Sequence, residues 1–176
     1  MTTLSSDDVS TAAQSGHPDP QPGFRTFMRG YVTGVAVVTS TGADDRPHGL
    51  TCTSLASVTM DPPTLLVCLD TCSGTLAAIR QRGSFMVNLL HAAARQTAEL
   101  FAAPRPDRFG AVAWRLSPRR ALPWLAEDSF AAAECDAVDL RTVGDHVVVF
   151  GRVVEVTGGD GRPLLYGRRS YLETQP

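Results

Sequence analysis

Apolar positions along the chain fall mostly into short β-branched runs separated by turn residues, with few stretches at helical spacing. Val35 to Ser40 (VAVVTS) is continuous and β-branched, the pattern of a strand buried on both faces. Thr41 to His48 reads as a turn. From Gly49, Leu50 and Cys52 alternate with Thr51, and Val58 and Met60 alternate with Thr59, which predicts extended backbone with those apolar residues facing a core. Between them Ser54-Leu55-Ala56-Ser57 breaks the alternation with compact side chains. Asp61-Pro62-Pro63 forces a loop, because neither proline can donate to a ladder. Thr64 to Leu69 and Ser84 to Leu90 read as further strands. Ser129 to Val143 and His146 to Thr157 read as two long antiparallel strands joined at Gly144-Asp145, and Pro163 to Tyr166 as a last strand or edge.

Helical spacing is limited to three places. Phe24, Phe27, Met28 and Tyr31 predict a short amphipathic helix before Gly34, its stripe assigned to the core. Ser73 before Gly74-Thr75-Leu76-Ala77-Ala78-Ile79, with Gly83 after it, has the form of an N-cap and a C-cap around one helix. Ala92 to Phe101 is built of helix formers and gives way to a proline-broken polar loop at 103–108. Trp114 and Trp124 are expected as packing anchors. Strands outnumber helices and few connections are long enough for parallel crossovers. A closed or partly open antiparallel barrel with two or three short helices is the economical packing.

Composition adjusts this picture in a few respects. At 176 residues and 43% hydrophobic, the chain forms one domain without staples. Residues 1–22, rich in Ser, Thr, Asp and Pro, are expected to be a loose tail, leaving 23–176 as the domain. Charged residues are only 19%, a hint that some surface is covered by self-association. A net charge of -2, with the basic residues mostly scattered, argues against nucleic acid. The start of the chain has neither the basic residues nor the apolar run of a signal peptide, and no apolar stretch reaches membrane-spanning length, so a soluble cytoplasmic protein is expected. Cys52, Cys68, Cys72 and Cys135 sit mostly in apolar runs and read as buried hydrophobes, not as zinc ligands or disulfides.

Two stretches carry candidate chemistry. Thr51 to Thr59 is hydroxyl-rich and uncharged, and reads either as a cradle offering hydroxyls and main chain to a flat, polar-edged ligand or as a Ser/Thr-rich strand with a bulge. Ser73 and Thr75 at a helix start suit an anion such as a phosphate, though a serine that merely caps a helix is the commoner arrangement. Asn88, polar in the middle of a strand, must find partners in backbone or ligand.

Taken in order, Thr33-Gly34-Val35-Ala36-Val37-Val38-Thr39, Gly49 to Val58, Asp61-Pro62-Pro63, Phe85 to Leu90, Gly144-Asp145-His146 and Pro163-Leu164-Leu165-Tyr166 resemble the flavin reductase-like, FMN-binding split-barrel family. The likeness runs from about Phe24 to Tyr171 and is strongest to the small reductase component of two-component flavin monooxygenases. The resemblance implies a mainly β fold, a six-stranded antiparallel Greek-key split barrel forming a homodimer. It implies NAD(P)H-dependent reduction of FMN or FAD, with reduced flavin passed to a partner monooxygenase. Thr53, Ser54, Leu55, Ala56 and Ser57 would line the flavin ring and ribityl chain. Leu69, Asp70, Ser73 and Thr75 would hold the phosphate, with its charge met by Arg105 or Arg108. Asn88 and Phe101 would lie near the flavin. His146 would help seat the nicotinamide of NADH or NADPH, joined by Tyr166 and Arg169. On residues alone, Gly144-Asp145-His146 also reads as a plain hairpin turn, and Arg168-Arg169 as a solvated pair. A flavoprotein that keeps its flavin and oxidises an organic substrate, and a flavin-binding module without turnover, are the alternative functions.

Overall fold

A computed structural model describes residues 21–172. Helix α1 (Gln21–Arg29) leads into β1 (Thr33–Gly34), β2 (Ala36–Thr41), β3 (Pro47–Cys52), β4 (Ala56–Met60) and β5 (Pro63–Asp70). Helix α2 (Gly74–Arg82), β6 (Ser84–Leu90) and helix α3 (Arg95–Ala102) follow, then a 3-10 turn at Phe109–Ala111. The chain continues through β7 (Arg115–Leu116), β8 (Pro123–Trp124), β9 (Ser129–Val143), β10 (His146–Gly158), β11 (Leu165–Gly167) and β12 (Ser170–Leu172).

Seven strands form one antiparallel sheet in the order β3-β2-β6-β9-β10-β5-β4. Its inner face is a single apolar cluster to which β2, β3, β5, β6, β9 and β10 all contribute, among them Val38, Val67, Phe85, Val87, Val147 and Val149. Six strands curl around one core, while β4 extends the sheet as an exposed edge. β3 and β5 are not sheet neighbours, so the barrel is split there. Ser54 clips the gap: its Oγ accepts from Cys68 N–H (2.9 Å) and donates to Cys68 C=O (3.0 Å). Helix α2 contributes Leu76 and Ile79 to the same core.

The continuous apolar run of β2 follows from its two-sided burial. Ala36 and Val38 point into the barrel, and Val35 and Val37 into a second cluster with Ala94, Ala98, Phe101, Phe109 and Leu125. The caps of α2 are those expected from sequence. Ser73 Oγ accepts from Thr75 and Leu76 N–H, and Gly83 closes the helix at φ 72°, a conformation glycine adopts without steric cost. β9 and β10 pair as a long hairpin whose two-residue turn has Gly144 at φ 59°.

Three expectations are corrected. The α1 stripe does not enter the core: Phe24, Phe27 and Tyr31 are 63%, 74% and 63% exposed, because both apolar clusters are filled by other elements and no residue of α1 is buried. Val58 and Met60 are also exposed, since β4 is an edge strand with no layer packed against it. α3 starts at Arg95, after a turn at 92–94. The tail assigned to 1–22 lies outside the described residues except for Gln21 and Pro22, which open α1.

Candidate functional site

Where β5 ends, the chain turns through Thr71 and Cys72 into α2, and this corner forms one wall of a cleft of about 610 Å³. The Asp70 carboxylate accepts from Cys72 N–H at 2.7 Å, and Asp70 C=O accepts from Ser73 N–H, which fixes the approach to the helix. Gly74 is the first helical residue, and its N–H is one that the helix itself cannot satisfy. Asp70, Cys72, Ser73, Gly74 and Thr75 line the cleft together with Pro47 to Thr51 of β3 and the loop from Phe101 to Phe109.

The opposite wall is aromatic and basic. Phe101 and Phe109 meet edge to face at 5.0 Å. Gly49 is required beneath them, since a Cβ there would come within 2.8 Å of the Phe101 ring. Arg108 is committed to structure: it donates to Gly49 C=O and twice to Ala103 C=O, tying the loop to β3. Arg105 lines the cleft and takes part in none of the ion pairs among the described residues. Of the two arginines considered from sequence, Arg105 is the one available to a ligand. His48, in a turn by sequence, also lines the cleft. Its ring lies so close to the helix start that a Cβ on Gly74 would sit 3.3 Å from its Nδ1.

A second cavity, about 430 Å³, opens beside α1. It begins at Thr53 and Ser54, two residues along the chain from the β3 wall of the first, and continues over Tyr166, Arg168 and Arg169 of the β11–β12 hairpin.

The sequence-derived residues therefore separate into groups. Asp70, Ser73, Thr75 and Phe101 share the main cleft, and Thr53, Ser54, Tyr166 and Arg169 share the second. His146 lines neither. It opens β10 directly opposite Asp70 in register, and Thr71 N–H donates to Asp145 C=O, so the Gly144-Asp145-His146 turn adjoins the helix corner. His146 Nδ1 lies 2.8 Å from Asp145 Oδ1, and that hydrogen bond holds the Asp145 carboxyl below its ordinary range. Leu55 packs on the core, and Ala56 and Ser57 sit exposed on β4. Leu69 is buried in the barrel. Asn88 is also buried: its Nδ2 donates to Val37 C=O and Thr39 Oγ1, and its Oδ1 accepts from Leu125 N–H, so its amide is engaged within the protein.

The four cysteines are free thiols. Burial pushes Cys135 up to about 12 and raises Cys52, whereas Cys72 is exposed in the main cleft. Among the described residues no group of three or more His, Cys, Asp or Glu side chains could hold a metal ion, and no helix is long and apolar enough to cross a membrane.

An open antiparallel barrel with a capped helix start and an aromatic wall about one cleft has the form of a split barrel. Residues 28–175 match the flavin reductase like domain, and the chain belongs to that family. It is 51% identical over 152 residues to a flavin reductase (NADPH) of Lentzea aerocolonigenes, covering 86% of this chain and 89% of that one. It is 34% identical over 165 residues to HsaB, the reductase subunit of a flavin-dependent monooxygenase of Mycobacterium tuberculosis (strain CDC 1551 / Oshkosh), covering 92% and 86%. Among solved structures, the NADH:FAD oxidoreductase SgcE6 of Streptomyces globisporus C-1027, in complex with NAD and FAD fragments, superposes with a TM-score of 0.82 at 28% identity, covering 90% and 96%.

Proposed function

We infer that this protein is an NAD(P)H:flavin oxidoreductase that reduces FMN or FAD and supplies the reduced flavin to a separate monooxygenase. The observation that carries the site assignment is the main cleft. A capped helix start with Ser73 and Thr75 stands there with His48 and Arg105, next to the aromatic pair Phe101 and Phe109. The Gly74 N–H, which the cap leaves open, with hydroxyls and a guanidinium suits a phosphate, and the aromatic and apolar wall suits the rest of a flavin. The residues present therefore fit a flavin, with its phosphate toward Ser73 and its ring toward Thr53 and Ser54. Bound flavin supplies the hydride-accepting chemistry, so the protein needs to bind, orient and exclude water, with no tuned general acid or base.

Each segment then has a task. Ser73 and Thr75 hold the phosphate end, Arg105 neutralises it, and the 101–109 loop covers the cleft. His146, beside the helix corner and oriented by Asp145, helps seat the nicotinamide, and Tyr166 and Arg169 meet the rest of the dinucleotide from the second cavity. Association as a homodimer would cover the exposed Phe27 side of α1.

Purified protein with free FMN or FAD is expected to oxidise NADH or NADPH over many turnovers. Replacing His146 by Ala is expected to lower kcat/KM for the nicotinamide about tenfold while leaving Tm within a degree or two. Unchanged kinetics would remove His146 from the site. Flavin that co-purifies tightly, with negligible turnover of free flavin, would replace the reductase by a flavoprotein acting directly on an organic substrate. Flavin binding without reduction by either nicotinamide would leave only a binding module.

A further inference from the structure

The second cavity carries an unusual charge. Arg25 and Arg29 of α1 and Arg168 and Arg169 of the β11–β12 turn all line it, and among the described residues no carboxylate does. None of the four takes part in an ion pair among the described residues, although seven such pairs occur elsewhere on the surface. Arg25 and Arg29 are four residues apart, on one face of α1, and Arg168 N–H donates to Arg29 C=O at 2.9 Å, which ties helix and hairpin together. Arg168 and Arg169 have φ of 51° and 65° in a two-residue turn between paired Gly167 and Ser170, positions where asparagine and glycine are relaxed. The chain thus accepts backbone strain to place two arginines where turn chemistry favours uncharged residues. The rest of the lining is aromatic and apolar, including Phe24, Tyr31 and Tyr166.

Four arginines with no ion-pair partner among the described residues, lining one cavity with Phe24, Tyr31 and Tyr166, suit a flat heteroaromatic group carrying a dianionic phosphate. We propose that this cavity binds the 2′-phosphoadenosine end of NADPH and makes the enzyme selective for NADPH over NADH. The inference rests on the reductase reading above and specifies which of its two nicotinamide donors is used. NADH and NADPH differ only in the 2′-phosphate, so a cluster of unpaired arginines discriminates through that group alone. The other phosphomonoester in the reaction is that of FMN. Were it the ligand here, the same arginines would govern FMN affinity and leave the choice of nicotinamide untouched.

The test compares the intact protein with Arg25→Ala and Arg168→Ala variants and their lysine counterparts. kcat/KM is measured for NADPH and NADH at fixed FMN, and calorimetry measures binding of adenosine 2′,5′-bisphosphate and of 5′-AMP. The wild type is expected to prefer NADPH by at least about tenfold and to bind the bisphosphate at least about tenfold more tightly than AMP. Each alanine variant is expected to cut the NADPH:NADH ratio about fivefold or more, and the lysine variants to recover part of it, which a merely structural role would not produce. Raised KM for FMN with an unaltered nicotinamide ratio would overturn the proposal in favour of a flavin phosphate. Equal use of both nicotinamides, or equal affinity for bisphosphate and AMP, by the wild type would overturn it even if no variant folds. In all of these outcomes turnover with flavin persists, whereas failure of the reductase reading would abolish turnover with both nicotinamides.

Discussion

Ser73 shows how one side chain serves fold and site together. Its Oγ satisfies two N–H groups of α2, so its loss costs about 1 kcal/mol of stability. The hydroxyl also stands in the cleft proposed for the phosphate, so Ser73→Ala is expected to weaken FMN about fivefold, corresponding to about 1 kcal/mol, while riboflavin affinity stays level. Titrating both ligands separates the two roles, and equal loss for both would place the phosphate elsewhere. Cys72 offers a chemical probe of the same corner. It is exposed in the cleft, whereas burial keeps the Cys135 thiol protonated until about pH 12. At pH 8 iodoacetamide is expected to label Cys72 readily and Cys135 not at all, and saturating FMN is expected to slow the Cys72 reaction. Peptide mass spectrometry reads both effects, and labelling of Cys72 indifferent to flavin would count against the cleft.

At the scale of elements, β2 and β6 explain what the sequence could and could not disclose. The β-branched run of β2 predicted burial on both faces, and the two clusters on either side of it provide that burial. The caps of α2 were legible because Ser and Gly at those positions have local geometric reasons to be there. Asn88 was not legible in the same way. A lone amide in an apolar strand signals a need for partners without naming them, and its partners Val37, Thr39 and Leu125 are far away in the chain. Asn88→Ala leaves the Leu125 N–H buried without its Oδ1 partner, a cost of about 1–3 kcal/mol for such a group. A urea midpoint should fall accordingly. If stability held and flavin affinity collapsed instead, Asn88 would belong to the ligand. His48 was missed because it falls in a charged turn by sequence, and only the pairing of β2 with β3 brings it to the start of α2. α1 and β4 were misjudged for a related reason: their periodicity shows which face is apolar but not what covers it.

Over the whole molecule, the exposed apolar face of α1 and the unpaired arginines beside it lie on the same side of the split as Thr53 and Ser54. Phe27 and Val32, which do not line the second cavity, are 74% and 45% exposed, and a second copy of the chain is the proposed cover. Sedimentation is expected to give a dimer, and Phe27→Asp with Val32→Asp to shift it toward monomer with loss of activity. A fully active monomer would rule this arrangement out. The account as a whole stands on reduction of a flavin that the protein binds and releases. Anaerobic stopped-flow mixing with FMN or FAD against NADPH or NADH measures that directly. Rapid, saturable bleaching of the oxidised flavin band is expected, followed by release of reduced flavin. A band that stays unbleached by either nicotinamide, with every flavin tried, would contradict it.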